Sequence, residues 1–431
     1  MATAESDGRG ALLRPLRNRN FVLVCLGQTV SSLGDSMYLV ALPWSVYRVT
    51  GSSADMGMIL AVNVIPRLLL TLFGGAVADR WSRRATIVAC NTAAGMVTAT
   101  AALLLRVHEM TLGGFLIVAF VLGMVTAFFN PAYAPIYRGI VPVEDLQAAS
   151  ALESGAANTA SVAGPLLAAL LLSGNGGWIV FAIEAATFFI AAGSAAAAAI
   201  HQEKVAYRAT LLREVASGLK LVLATRWLRT VILISLLANL MCVAPMFVLL
   251  PTVTAQPGGR GSLLSLAVAV QFASSLLFAL LVGKYGHLVP RGAAIYLLAG
   301  AIGAGVALLG LGARAHVLIV PAEVIIGLGF AFNIVENTML AELVPQAFLS
   351  RVYSIVILSS MALTPVGYAA AGFLARIVGA REVLVTGGAC FAAVCLLGAA
   401  LGRSRLLGPD VQGEAAPLTA AAPADQPTNA R

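Results

Sequence analysis

Charged side chains are scarce in this chain. They make up 11% of its 431 residues, against 59% apolar, whereas a soluble domain carries about 25% charged residues. Length alone would suggest two or three soluble domains, but before the tail no stretch has the polar surface they need. Lysine is nearly missing, with three residues (Lys204, Lys220, Lys284) against 24 arginines. The cysteines are five, an odd number. Cys25, Cys90, Cys242, Cys390 and Cys395 all fall in apolar runs, which marks them as packing residues and excludes a disulfide framework. The four histidines are scattered over separate loops, so no metal site is expected. There is no Walker-type phosphate loop, no nucleophile with a base and no acidic pair on one helix face, so the chain does not read as a membrane enzyme. No cofactor is expected.

What is present is hydrophobic length. A bilayer crossing takes about 20 predominantly apolar residues, and twelve stretches qualify: 21–47, 54–78, 85–105, 112–137, 148–172, 178–200, 229–251, 262–283, 292–313, 316–341, 352–375 and 382–402. The halves answer to each other. Phe129-Asn130, Val141-Pro142 and Leu146 recur 203 residues later as Phe332-Asn333, Val344-Pro345 and Leu349. The pattern predicts an all-α membrane protein of two homologous six-helix bundles, 21–200 and 229–402. A segment 1–20 precedes them, a linker 201–228 joins them and a tail 403–431 follows. Duplication of a six-helix half is one way secondary transporters are built.

Basic residues orient the chain. With an even number of crossings both termini share a side, and twenty of the 27 Lys and Arg fall there. Six (Arg48, Arg106, Arg260, Arg314, Arg376, Arg381) fall on the other, and Arg67 lies within a crossing. This asymmetry places both termini in the cytoplasm. It also explains the net charge of +8 by topology and anionic lipid, without nucleic acid. Arg14, Arg17 and Arg19 ahead of an apolar run imitate a signal peptide. The run is too long, carries Asp35 and lacks a small-residue cleavage site, so it reads as an uncleaved first helix. In the linker, Leu211, Leu212, Val215, Leu219 and Val222 alternate with Arg213, Glu214 and Lys220. That spacing suits an amphipathic helix on the inner membrane face, or a cytoplasmic extension of helix 7. The Ala- and Pro-rich tail is expected to be disordered.

The most specific local motif is Gly74-Gly75-Ala76-Val77-Ala78-Asp79-Arg80-Trp81-Ser82-Arg83-Arg84. It resembles the signature loop between helices 2 and 3 of the major facilitator superfamily, with Val77 and Ser82 as mild departures. The resemblance implies a conformational latch built from Gly74, Gly75, Asp79, Arg80, Arg83 and Arg84: the glycines allow close backbone approach, and Asp79 can face a helix N-terminus. The alternative for the arginines is that they simply fix topology. The second copy, Gly283-Lys284-Tyr285-Gly286-His287 with Arg291, has no acid. Further matches are Arg17-Asn18-Arg19-Asn20-Phe21, Ser32-Leu33-Gly34-Asp35, Pro66-Arg67 and Leu211-Leu212-Arg213-Glu214 with Gly218-Leu219. They resemble the branch that holds enterobactin-type siderophore exporters and macrolide efflux pumps. In helix 5, Gly164-Pro165 is similar to a drug-antiporter element. Pro165 should kink that helix, with Pro365 as its counterpart in helix 11.

Ionisable groups at membrane depth mark pathways. Asp35 lies about 21 Å along helix 1 and Arg67 about 16 Å from the cytoplasmic end of helix 2, at 1.5 Å per residue, so the two are expected to pair. Glu184, Glu323 and Glu336 read as lying nearer the edges of their crossings. Asn333, Glu336 and Asn337 share a face at i, i+3 and i+4. With Asn130 and Asn239 they mark helices 4, 7 and 10, which the resemblance implies line a central cavity along with helix 1. Each Asn could equally be an interhelical hydrogen bond. The expectation is an exporter of small amphipathic or apolar molecules, working as a monomer by alternating access and proton antiport. Asp35 and Arg67 would couple the proton, with Glu336 as second carrier. A solute uptake symporter and a non-transporting receptor on the same fold are the alternatives. The arginine excess and abundant alanine suit a GC-rich bacterial genome, hence the inner membrane of a bacterium.

Overall fold

The computed structural model describes residues 13–80, 82–172, 176–199, 222, 225–255, 262–286, 290–344, 352–353, 355–356 and 362–401; for 71–80 and 291 only the backbone is described. Most of the linker expected at 201–228, and the tail from 403, lie outside these residues. Among them the regular structure is helical throughout, as hydrocarbon demands, because a helix satisfies its own backbone polar groups. The first bundle holds α1 (Arg19–Thr50), α2 (Ser53–Arg80), α3 (Arg83–Arg106), α4 (Leu112–Tyr133), α5 (Leu146–Leu171) and α6 (Gly177–Ala197). The second holds α7 (Arg226–Thr254), α8 (Ser262–Tyr285), α9 (Arg291–Gly312), α10 (His316–Leu343), α11 (Thr364–Val378) and α12 (Ala380–Ala400).

Ten of these helices are long and apolar enough to cross a membrane on length and composition alone. The other two are α1 and α11. Helix α1 has 32 residues, but Gln28, Ser31, Ser32, Asp35 and Ser36 dilute its hydropathy. Helix α11 offers 15 described residues. Pro365, expected to kink a helix, instead sits in the first turn of α11, where its missing N–H costs nothing. Pro165 does lie inside α5.

Caps fix the ends. Asn18 accepts from Asn20 N at 2.9 Å and Phe21 N at 3.4 Å, and donates to Ile140 O at 2.7 Å, tying the start of α1 to the α4–α5 connection. Gly51, at φ 67°, closes α1 in the left-handed conformation that glycine adopts without strain. Helix α7 is interrupted by a π-helical turn, Asn239–Val243. Pro245, just beyond it, has no N–H for the Met241 carbonyl, and a turn of wider pitch absorbs the mismatch. Helix α10 is broken at Ala331, between Phe330 and Phe332.

Within the first bundle α2 packs on α4, α3 on α6, and α1 on α5 and α6; within the second, α9 packs on α10 and α12, and α8 on α10. The bundles meet where α2 lies against α11 and α5 against α8. The described chain begins and ends on one face, here the terminal face, because the start of α2 contacts α11 near its end. The contact is backbone-close. A Cβ on Gly57 would strike the Tyr368 carbonyl, and one on Gly372 would lie 2.6 Å from the Ser53 carbonyl oxygen. The largest buried apolar cluster runs across this seam, joining Met56 and Trp44 with Met246, Leu249 and Ala371. A second cluster, built on Phe21, Ile87, Ile136 and Tyr137, belongs to the first bundle alone and sits at the terminal face. Helix α7 reaches α1 and α2 through its far half, Ala244–Thr254. Among the described residues, then, the bundles join at the face opposite the terminal one. At this face Arg48 stacks on Trp44 at 6.0 Å and Arg106 on Trp178 at 5.0 Å. These pairs form an interfacial aromatic belt, and the cavity of about 410 Å³ beside them belongs to it.

Candidate functional site

A polar cavity of about 290 Å³ lies inside the first bundle, walled by α1, α2, α3, α4 and α6. Helix α1 contributes Gln28, Ser31, Asp35 and Tyr38; α2 contributes Asn63, α3 Asn91, α4 Thr126, Phe129 and Asn130, and α6 Glu184 and Phe188. Several of these polar groups also hold the bundle together. Asn63 Nδ2 donates to Ala119 O at 3.0 Å, Asn91 Nδ2 to Ile87 O at 3.0 Å, and Thr126 Oγ1 to Leu122 O at 2.8 Å.

The centre of the cavity is a pair of acids. Glu184 is 1% exposed, and its carboxyl group neighbours that of Asp35 on the same cavity wall. The surface that Asp35 keeps faces the cavity. Thr187 Oγ1 donates to Glu184 O at 2.8 Å and stands 3.4 Å from Glu184 Oε2. Close approach of α1 and α6 makes the pair possible. A Cβ on Gly34 would run into Glu184 Oε2 and Thr187 Oγ1, and one on Gly27 into Ser194 Oγ. From the other side, Gly164 of α5 brings that helix onto α1 next to Asp35: a Cβ there would lie 2.5 Å from Ser36 Cβ. The Gly164-Pro165 element therefore braces the acid-bearing turn.

Arg67, expected to pair with Asp35, is not among the residues lining its cavity. It interacts instead with Tyr368 of α11, across the seam between the bundles. Glu336 belongs to the second bundle, 7% exposed, and accepts from Ser235 Oγ of α7 at 3.1 Å. Asn239, at the start of the π-helical turn, donates to Ser235 O at 2.9 Å. Asn333 and Asn337 are exposed; Asn333 donates to Phe330 O at 3.1 Å, and the Asn337 carbonyl accepts from Tyr353 Oη at 3.2 Å. Asn130 is exposed toward the acid pair's cavity, so of the four asparagines it alone joins that site. In the loop motif, Arg84 hydrogen-bonds Ala196 O at the end of α6, and Ser82 caps α3. Of Gly74, Gly75, Asp79 and Arg80 only the backbone is described, within the end of α2.

Glu184, Gln28, Asn63 and Asn91 are the site residues that the sequence reading passed over. Glu184 carried a signal, being the one acid in the otherwise apolar and small-residue run Trp178–Ala197. Glu323 is a different case. It is fully buried, both carboxyl oxygens lack a partner among the described residues, and it lies outside the cavity. A buried acid without partners weakens a fold, and an apolar replacement of similar size relieves that cost. Glu323→Met should raise the thermal unfolding midpoint of the purified protein by a few degrees and leave transport intact; a fall in the midpoint would show a partner that supports Glu323.

The sequence profile described as "Major Facilitator Superfamily" matches residues 24–362. The chain belongs to the Major Facilitator Superfamily. The chain is 25% identical over 234 residues to the multidrug efflux pump Tap of Mycobacterium tuberculosis, covering 51% of this chain and 56% of that pump. It thus spans about half the length of that relative. Macrolide efflux protein A of Streptococcus pyogenes is 24% identical over 395 residues, 87% of this chain and 95% of that protein. Among solved structures, the nucleoside transporter NupG superposes with a TM-score of 0.67 at 14% identity, covering 88% of this chain and 98% of NupG. That likeness speaks for the superfamily fold alone.

Proposed function

We propose that this transporter exports small apolar or amphipathic molecules across a bacterial inner membrane, by alternating access and in exchange for protons. The observation that carries the reading is the Asp35–Glu184 pair, two neighbouring carboxyl groups set in a polar cavity within an apolar bundle. Similarity to pumps named for multidrug and macrolide efflux favours export over uptake. On the orientation given by the arginines, the terminal face is cytoplasmic and the face where the bundles join is external. Proton loss from the pair loads the inward state for substrate, and proton binding from outside returns it. Arg67 and Tyr368, meeting across the bundles, are placed to report this change from one half to the other.

Everted membrane vesicles test direction. They should accumulate a macrolide when respiration acidifies their interior, and a protonophore should discharge it; accumulation by intact cells instead would make the protein an importer. Binding without any flux would make it a receptor. Reporter fusions test orientation: those after residue 403 and within 201–228 should be cytoplasmic, and one at 256–260 external, given the arginine asymmetry. The latch remains part of the proposal. Asp79→Asn should leave insertion normal, reduce transport more than ligand binding, and alter cysteine accessibility on the two faces. Unchanged accessibility would remove Asp79 from the mechanism.

A further inference from the structure

The cavity of about 410 Å³ at the face where the bundles join is formed by the first bundle, between the last turn of α1, the α3–α4 turn and the first turn of α6. Its lining is basic and aromatic. Arg48 and His108 contribute its ionisable side chains, and among the described lining residues there is no acid; Glu109, next to His108 in sequence, is not one of them. Trp44 and Trp178 form walls, with Arg48 6.0 Å from the Trp44 ring and Arg106 5.0 Å from that of Trp178. Ser45, 4% exposed, adds a hydroxyl group.

Arg48 and Arg106 have an ordinary reason to be here. Each stands in the last turn of its helix, where a cation complements the C-terminal dipole. His108 has no such reason. It follows α3 in the left-handed conformation, at φ 61°, and is the only non-glycine residue with positive φ among those described. The turn is a Schellman cap: Glu109 N donates to Leu104 O at 2.9 Å and His108 N to Leu105 O at 3.3 Å. Glycine takes that position without strain, and a residue with a Cβ does not. A strained backbone thus sets an imidazole in the cavity wall, as strained residues do at binding sites.

The surroundings show what kind of anion fits. Met96, Leu103 and Val107 are exposed apolar residues at i, i+7 and i+11, one face of α3, and their stripe ends beside His108. Indole rings at a membrane boundary sit at headgroup level, and guanidinium groups bind phosphate through paired N–H donors. Donors for a phosphate therefore adjoin a surface for an acyl chain.

We propose that this cavity holds the phosphate group of an anionic phospholipid, with Arg48 and His108 as donors and the α3 stripe as the bed of one acyl chain. On the arginine orientation the lipid belongs to the outer leaflet. Bound there, it braces the ends of α1, α3 and α6, apart from the acid-pair cavity.

Dihexanoyl phosphatidylglycerol is the probe, titrated into the purified full-length protein in a neutral maltoside detergent and read by tryptophan fluorescence. It should bind saturably, and at least about tenfold more tightly than dihexanoyl phosphatidylcholine, whose headgroup cancels the charge, or inorganic phosphate, which lacks the chains. Arg48→Gln should weaken binding by about tenfold, the loss of one charge-assisted hydrogen bond. His108→Gly removes the imidazole and the strain together: affinity should fall about fivefold while the thermal midpoint without lipid holds or rises. Arg314→Gln, on the same face of the second bundle, should bind as wild type. Equal affinity for phosphatidylcholine would reveal a merely apolar groove, and equally tight binding of inorganic phosphate a free-phosphate site. An equal loss in Arg314→Gln would reveal diffuse attraction to a chain of net charge +8. Unchanged affinity with a lower midpoint in His108→Gly would make His108 a structural cap. Each of these results overturns the proposal.

Discussion

Gly34→Ala is expected to reduce transport by more than tenfold while costing the fold only about 1 kcal/mol, at the low end of overpacking penalties. The new methyl group points at Glu184 Oε2 and Thr187 Oγ1. The carboxyl group is the free end of a flexible side chain and can swing aside, so the helices need not separate. What is lost is its place beside Asp35. Gly193→Ala in α6 is the control, since nothing lies within 4 Å of its added Cβ; it should keep wild-type transport and a midpoint at or slightly above wild type. Thermal unfolding and vesicle flux on the same preparations check both, and a Gly34→Ala protein that pumps normally would show that the carboxyl contact is dispensable.

Gly57→Ala should act on the conformational equilibrium. Its obstacle is the Tyr368 backbone carbonyl, which cannot rotate away and must move with α11. The face where the bundles join should therefore open. Met56, 2% exposed in the seam, reports on it when replaced by Cys in a Cys390→Ala background, Cys390 being the exposed native cysteine. Labelling of Met56→Cys by an impermeant maleimide from the far side should rise at least about fivefold on adding Gly57→Ala, which corresponds to roughly 1 kcal/mol in the closed–open balance. Equal labelling in both backgrounds would show that the seam does not depend on this glycine.

The architecture was legible in the sequence because a bilayer leaves the backbone few choices: apolar runs of crossing length become helices, and the 203-residue repeat orders them into halves. The acid pair was not legible. Depth along a helix can be counted from its ends, but the direction a side chain faces cannot. Asp35 and Arg67 have similar depth and different partners, Glu184 and Tyr368. Glu184 looked peripheral because its position was judged along α6 alone. It reaches Asp35 because Gly27 and Gly34 let α6 lie directly on α1. Gly34 stood in the sequence as part of a family motif, without its physical reason. The π-helical turn at Asn239 was equally hidden, since it depends on a carbonyl that Pro245 leaves without a donor.

The central claim is that proton binding at Asp35 drives efflux. Purified protein in proteoliposomes, given a macrolide and an imposed pH gradient, tests it most directly. The wild type should move the macrolide against its concentration gradient only while the pH gradient lasts, and Asp35→Asn should bind the macrolide yet show no uphill flux. Uphill flux by Asp35→Asn at the wild-type rate would contradict the account and move the proton site elsewhere, first to Glu336.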